Sequence, residues 1–200
     1  MAIVRPTPKA TNTGGTNKFA GICEVGIVNF TDKSGDYDWA DVYIEIEFAL
    51  KDSKYTRNMQ LTGSLDKDAK GNVEGGYVLD RMYRIFDAID CKAGINTKGE
   101  WEDEDGKAIT DIAAYLNTNH CSNFMPGTDP VLDYVAYIYK TANKKTGALF
   151  NAMLPKLYPN GDNGKKEMAS YVKWMKANNH LKEVSEGPAS EKPVVSADAL

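Results

Sequence analysis

The segment Trp39 to Leu50 (WADVYIEIEFAL) constrains the fold of this chain more than any other feature. Apolar side chains alternate along it with Asp, Tyr and Glu, and the apolar series is Val42, Ile44, Ile46 and Phe48. Successive side chains of a β-strand point to opposite faces, so this period of two predicts a strand with one buried face. The chain must therefore build a sheet that lies against a core.

A predicted strand lies on either side of this one. Phe19–Phe30 is apolar and β-branched, and its two glycines predict a bend or a bulge. Tyr55–Ser64 follows Leu50 after the short turn KDSK, so the second and third strands are expected to form a hairpin.

Beyond the third strand the apolar period changes to that of a helix over Tyr77–Asp90. The later predicted elements are a short helix capped by Thr110 (Asp111–Asn117), two strands (Val131–Ala142 and Ala148–Leu154) and a last helix (Lys165–Asn178). Three strands, a helix, a two-strand hairpin and a helix make an α+β chain. This order is that of the OB-fold, a five-stranded, partly open barrel, here with an insertion at about 91–130 and a C-terminal helix. Other small α+β folds share the same order.

A single domain is expected over residues 19–182. The first 18 residues are polar and lack hydrophobic spacing, which predicts a flexible arm, and residues 183–200 have the composition of a disordered acidic tail. Three cysteines are too few for a disulfide framework and indicate a reducing compartment. Since no apolar run approaches the roughly 18 residues of a membrane span, we expect a cytoplasmic protein without a membrane contact.

No group of residues in the sequence predicts catalysis. His120 and Cys121 are adjacent in a loop, where neighbouring side chains point apart, so they make a poor nucleophile pair. Asp66, Asp68 and Gly71 resemble the start of a calcium loop, but Tyr77 stands where the closing Glu is needed. We therefore expect neither an enzyme nor a cofactor or metal site.

Charge is distributed unevenly along the chain. The net charge of −4 argues, by itself, against a nucleic-acid partner. Residues 1–130 carry 14 basic and 21 acidic side chains, whereas residues 131–182 carry nine lysines against three acids, a net charge of +6. The last 18 residues are net −3. The overall acidity therefore hides a basic segment.

Aromatic residues are interleaved with those lysines and also lie on the predicted second and third strands. Cations that follow the phosphates and flat rings that stack on unpaired bases are the means by which proteins hold single-stranded nucleic acid. The OB-fold places its groove on strands two and three and on the loops that join strands one to two and four to five. The candidate nucleic-acid-binding residues there are Trp39, Tyr43, Tyr55, Arg57, Tyr137, Tyr139, Lys140, Lys144 and Lys145.

Three stretches also resemble a known group of proteins. The runs VGIVNFTDKSGDYDWADVYIEIEFAL, KYTRNMQLTGSLDKDAKG and GGYVLDRMYRIFDAI, the last followed by AGINTKGEW, resemble phage-encoded single-stranded DNA-binding proteins of the early replication region. The resemblance covers about residues 19 to 155. It lies in the general order of the segments and in the short stretches quoted above. It implies an OB-like domain that binds single strands without sequence preference, in replication or recombination, in the host cell cytoplasm. It also implies a C-terminal tail that recruits replication proteins, and the tail here matches in position and sign but is only mildly acidic.

Two other function classes stay open on the sequence. A β-rich domain with flexible ends and an acidic surface also suits a virion or assembly protein that self-associates without binding nucleic acid. The acidic run from Glu100 to Asp105 would suit a small metal-dependent enzyme, although a solvated loop is its default interpretation.

Overall fold

The computed structural model describes residues 21–53, 55–122 and 129–184. The elements are β1 (Gly21–Asp32), β2 (Val42–Leu50), β3 (Arg57–Gly63), β4 (Asp66–Lys67), β5 (Val73–Gly75), α1 (Tyr77–Ala88), β6 (Gly94–Ile95), β7 (Trp101–Glu102), α2 (Ile112–His120), β8 (Tyr134–Ala142), β9 (Leu149–Met153), β10 (Tyr158–Pro159) and α3 (Asp162–Ala177). The expected α+β character is confirmed. The proposed arm (1–18) and most of the proposed tail (183–200) lie outside the described residues.

One antiparallel sheet organises the described part of the molecule. Its strands run in the order β3, β2, β1 and β8, and both β9 and β10 pair with the far edge of β8. The start of β1 pairs with β8, and the rest of β1 pairs with β2, with a bulge between Ile27 and Asn29. This bulge fits the bend that the glycine-rich sequence of β1 predicts, because an extra residue in one strand increases its local twist.

The sheet is not closed into a barrel. β3 and β9 are its two free edges, and their Cα atoms come within 8 Å of each other. In the described part of the chain, no ladder of hydrogen bonds joins them. The five predicted main strands and their antiparallel hairpins are present, but barrel closure is not.

The main core lies on the inner face of the sheet, where the alternation of β2 predicts it. Ile44, Ile46 and Phe48 are fully buried, and α1 covers them with its apolar stripe of Val78, Leu79, Met82, Ile85 and Phe86. α2 packs against β1, and its N-cap is Asp111 rather than the expected Thr110. The Asp111 carboxylate accepts a hydrogen bond of 2.8 Å from the backbone N–H of Ala114, which satisfies a free donor of the first turn.

A second, smaller core holds α3 against the opposite face of β8. Ala136 and Ile138 belong to the main core, whereas Tyr137 belongs to the cluster beneath α3, so β8 is covered on both faces. The other members of this cluster are Leu154, Met168, Val172 and Leu181. α3 therefore packs on β8 and β10, on the side of the sheet away from α1.

Five very short strands were not expected from the sequence. β4 pairs with β5, and β6 pairs with β7 inside the predicted insertion, while β10 adds two residues to the edge of β8. No helix within the described ranges is both long enough and apolar enough to cross a membrane.

Candidate nucleic-acid interface

A groove of about 580 Å³ follows the opening between β3 and β9. α1 and β3 form one wall, and β9 with the C-terminal part of α3 forms the other. We call it the seam groove, and its lining residues are Asn58, Met59, Gln60, Tyr77, Arg81, Arg84, Tyr139, Phe150–Pro155, Tyr171, Met175 and His180.

The α1 wall carries the positive charge of the seam groove. Tyr77, Arg81 and Arg84 are spaced by four and three residues, so they share one face of the helix and follow the free edge of β3. The Arg81 guanidinium donates a hydrogen bond of 3.0 Å to the backbone carbonyl of Gln60, and its centre lies 5.6 Å from the ring centroid of Tyr77. Arg81 is therefore held in place at the groove, while Arg84 is exposed.

The opposite wall supplies flat rings. Phe150 on β9 is 49% exposed, and Tyr171 of α3 and Tyr139 of β8 line the same space. Burial raises the pKa of the Tyr139 hydroxyl above its ordinary value, and the positive charge of Arg81 partly opposes this. Tyr139 is therefore a neutral ring and hydrogen-bond donor at physiological pH.

Charge within the seam groove has one sign. Arg81 and Arg84 are the fully charged residues among those that line it, and no lining residue in the described ranges is acidic. Glu183 is a carboxylate whose charge acts on the Tyr139 hydroxyl, and it is paired with Lys176 at 2.5 Å. An anion in the groove would therefore meet two guanidinium groups and no unpaired lining carboxylate.

The hairpin of β8 and β9 brings other predicted residues to the end of this groove. Lys140 is paired with Asn151 in the register of β8 and β9. Directly paired residues lie on the same face of a sheet, so Lys140 shares a face with Asn151, which lines the groove. Lys144 and Lys145 are exposed in the turn between the two strands. Gly147 in this turn adopts a positive φ of 69°, which glycine accommodates without steric cost.

Trp39 and Tyr43 lie elsewhere, in a cluster on the connection between β1 and β2. The rings of Tyr37 and Tyr43 stack with centroids 5.0 Å apart, and Trp39 packs within 6.1 Å of Tyr43. Tyr43 is buried with 8% exposed, whereas Trp39 is 59% exposed. Of these two predicted residues, Trp39 presents open ring surface and Tyr43 supports its neighbours.

Tyr137 is also buried, with 7% exposed. Its hydroxyl donates to the Glu183 carboxylate, with distances of 3.0 and 3.2 Å to the two oxygens, and Lys176 lies 5.6 Å from its ring centroid. Tyr137 and Tyr139 stack 6.2 Å apart, as two residues on the same face of a strand can. Tyr137 therefore acts as a packing partner beneath Tyr139 and α3.

The outer face of β2 and β3, where the OB-fold comparison placed the site, carries carboxylates. Glu45 accepts hydrogen bonds from Lys33, Asn58 and Gln60 at 3.2 to 3.3 Å, and Glu47 lies on the same face. Tyr55 is 64% exposed before β3, and Arg57 begins that strand. These two predicted residues lie at the end of β3 away from the loop cluster of Tyr37, Trp39 and Tyr43.

Most residues of the seam groove are not among the residues predicted from the sequence. Arg81 and Arg84 were visible as a pair on α1, and together with Tyr77 they form a stripe with helical spacing. The stripe itself was therefore available as a signal. What the sequence did not indicate is that this stripe faces β9, which lies about 70 residues further along the chain.

The geometry supports a metal-dependent enzyme or a cysteine nucleophile less well than a nucleic-acid interface. No cluster of three His, Cys, Asp or Glu side chains with the spacing of a metal site occurs in the described ranges. In the acidic run, Asp103 accepts hydrogen bonds from the backbone N–H groups of Asp105 and Lys107, and Glu102 accepts from Asn96. These carboxylates therefore stabilise local turns. Burial raises the pKa of the Cys121 thiol to about 11, which makes it a poor nucleophile.

Comparison with known proteins gives no relative: no family model, no curated protein and no solved structure matches this chain.

Proposed function

We propose that this protein binds single-stranded DNA without sequence preference, with the seam groove as its central binding site. The observation that carries the proposal is the pairing of Arg81 and Arg84 on one wall with the exposed ring of Phe150 and two half-buried tyrosines on the other, in a groove whose described lining residues include no carboxylate. Guanidinium groups hold phosphates, and every base offers a flat face to an aromatic ring, so such a groove selects unpaired strands rather than a sequence.

The strand order supports the proposal at a coarser level. Three antiparallel strands, a helix and a returning hairpin follow the order of the OB-fold, and the opening between β3 and β9 suits the partly open form of that barrel. The lysines of the β8–β9 hairpin (Lys140, Lys144 and Lys145) would continue the phosphate path beyond the groove. A role in phage replication or recombination, with replication proteins as partners of the tail, is the biological setting that the sequence resemblance implies.

The experiment is a titration of a fluorescently labelled oligothymidylate, followed by anisotropy at two salt concentrations. Wild-type protein should bind at low salt, and binding should weaken several-fold at the higher salt because phosphate contacts release counterions. The double variant Arg81→Ala/Arg84→Ala should bind about tenfold or more weakly and with a shallower salt dependence.

The matched control removes the same number of charges outside the groove. Lys70 and Lys98 are exposed and do not line the groove, so Lys70→Ala/Lys98→Ala should bind as the wild type does. Absence of binding at low salt overturns the proposal. A large homo-oligomer in light scattering, with no response to DNA, would instead support the virion or assembly alternative.

A further inference from the structure

Three rings continue the aromatic wall of the seam groove onto the outside of α3. Trp174 stacks on Tyr171, with centroids 6.1 Å apart and an interplanar angle of 19°, and on His180, at 5.3 Å and 30°. Tyr171 and His180 both line the groove, whereas Trp174 does not. Trp174 therefore lies at the rim, where the groove meets the surface of α3.

The position of Trp174 is unusual for a tryptophan that serves only packing. It is 53% exposed, although tryptophan is among the side chains that gain most from burial. Its surroundings are nevertheless ordered. The backbone N–H and the side-chain amide of Asn178 both donate to the Trp174 carbonyl, and the N–H of His180 donates to Met175, which turns the chain back over the helix end. These bonds order the backbone at the helix end, and the rings of Tyr171 and His180 that stack on the indole restrict its orientation.

The charge around Trp174 suits a phosphate chain. Lys173 precedes it and Lys166 lies two turns earlier, both exposed, and neither forms an ion pair with any residue that the structure describes. Lys176 is also on this helix, but it is paired with Glu183. The two carboxylates of the helix lie nearer its start: Asp162 is its first residue, and Glu167 accepts a hydrogen bond from Asn163.

A bound strand could leave the groove over β3 and β2 or over α3, and the route over β3 and β2 is less favourable to an anion. A strand that left the groove over β3 and β2 would meet Glu45 and Glu47 on the outer face of the sheet. A strand that left over the C-terminal half of α3 would meet Lys173 and the exposed ring of Trp174 instead. Electrostatics and exposed ring surface therefore favour the same route.

We propose that single-stranded DNA bound in the seam groove leaves it over α3, with an unpaired base stacked on Trp174 and a phosphate beside Lys173. This inference rests on the proposed function, and it deepens that function by naming a further binding subsite and the course of the strand. It also differs from the course over the second and third strands that the sequence predicted.

The test uses two lengths of oligothymidylate, of about 4 and about 16 nucleotides, so that the short one fills the groove and only the long one extends past its rim to Trp174 and Lys173. The variants are Trp174→Ala, Trp174→Phe and Lys173→Ala in the full chain. Trp174→Ala should weaken binding of the long oligonucleotide about tenfold and leave the short one unchanged. Trp174→Phe should retain most of the affinity because a ring is kept.

Lys173→Ala should weaken the long oligonucleotide a few-fold and lower its salt slope by about one. Lys98→Ala is the matched charge control and should have no effect on either length. If wild-type protein binds both lengths and Trp174→Ala binds the long one equally well, the route over α3 is wrong and the groove proposal stands. If Trp174→Ala weakens both lengths alike, Trp174 supports the groove itself and the inference is also overturned. If wild-type protein binds neither, both proposals fall.

Discussion

At the residue scale, a few polar side chains connect segments that are far apart in the sequence. Asn117 on α2 accepts a hydrogen bond of 2.8 Å from the N–H of Phe30 and donates one of 2.8 Å to its carbonyl. Phe30 is almost completely buried, so no water can replace these bonds. Asn117 thus takes the place of a neighbouring strand along this part of β1 and fixes α2 to the sheet.

Asn117→Ala should lower the free energy of unfolding by about 2 kcal/mol, because it leaves a buried donor and a buried acceptor without partners. Asn119 offers a matched control on the same helix, since its amide donates only to the Tyr115 carbonyl one turn earlier. Asn119→Ala should change stability by less than about 0.5 kcal/mol. Urea denaturation measures both, and equal effects of the two variants would contradict this role of Asn117.

Glu24 is a second such residue, and it predicts a pH dependence. Its carboxylate pairs with Lys165 of α3 and, at 2.9 Å, with Lys51 after β2. Hydrogen bonds from these two lysines lower the pKa of Glu24 to about 2, against 4.5 for an ordinary Glu. Because the folded-state pKa is the lower one, the stabilisation is complete above pH 4.5 and is lost as the pH falls towards 2.

Glu24→Gln should therefore cost about 1 kcal/mol at neutral pH, a modest value because both lysines keep much of their contact with water. The difference in unfolding free energy between wild type and variant should shrink as the pH is lowered from 4.5. Urea titrations at pH 7, 4 and 2.5 measure it. A difference that stays constant over this range would show that the ion pairs contribute nothing.

At the scale of elements, the position of α3 depends on a close approach to β10. A Cβ atom at Gly164 would lie 1.9 Å from the Pro159 carbonyl oxygen and 3.2 Å from Cγ2 of Val135. The first turn of α3 can therefore reach the sheet only with glycine at this position. The groove depends on the same contact, since α3 supplies Tyr171 to its wall.

Gly164→Ala should destabilise the protein by more than about 2 kcal/mol, although the same change in an open helix stabilises by up to about 1 kcal/mol. Gly35 is the control, because nothing lies within 4 Å of a Cβ atom built there. Gly35→Ala should stay within about 0.5 kcal/mol of the wild type in thermal or urea unfolding. A neutral Gly164→Ala would mean that α3 can shift away from β10 at no cost.

Elements with a strong local pattern could be predicted from the sequence, and those set by distant partners could not. The alternation of β2 and the helical stripe of α1 each depend on one buried face, which is visible within a single segment. β10 has only two residues, one of them a proline without a backbone donor, and it lies between its partner β8 and the packed start of α3. Tyr137 and Tyr139 stack on one face of β8, but burial of Tyr137 depends on Met168 and Val172 of α3, which lie far along the chain.

At the scale of the whole molecule, charge and topology together define the proposed function. The net charge of −4 conceals a basic segment over residues 131–182, which builds β8, β9 and α3. The opening between β3 and β9 places part of this segment opposite Arg81 and Arg84 of the otherwise acidic first part. The candidate site is therefore assembled from both halves of the chain, which explains why only Tyr139 of the predicted residues lines the groove.

Photo-cross-linking shows directly whether single-stranded DNA lies in the seam groove. A halogenated-deoxyuridine oligonucleotide, bound to the wild-type protein at low salt and irradiated, marks the aromatic residues that contact its bases. We expect cross-links in peptides that contain Tyr77, Tyr139, Phe150 or Tyr171, and their loss in Arg81→Ala/Arg84→Ala. Cross-links confined to Trp39 and Tyr37, with none along the seam groove, would contradict it.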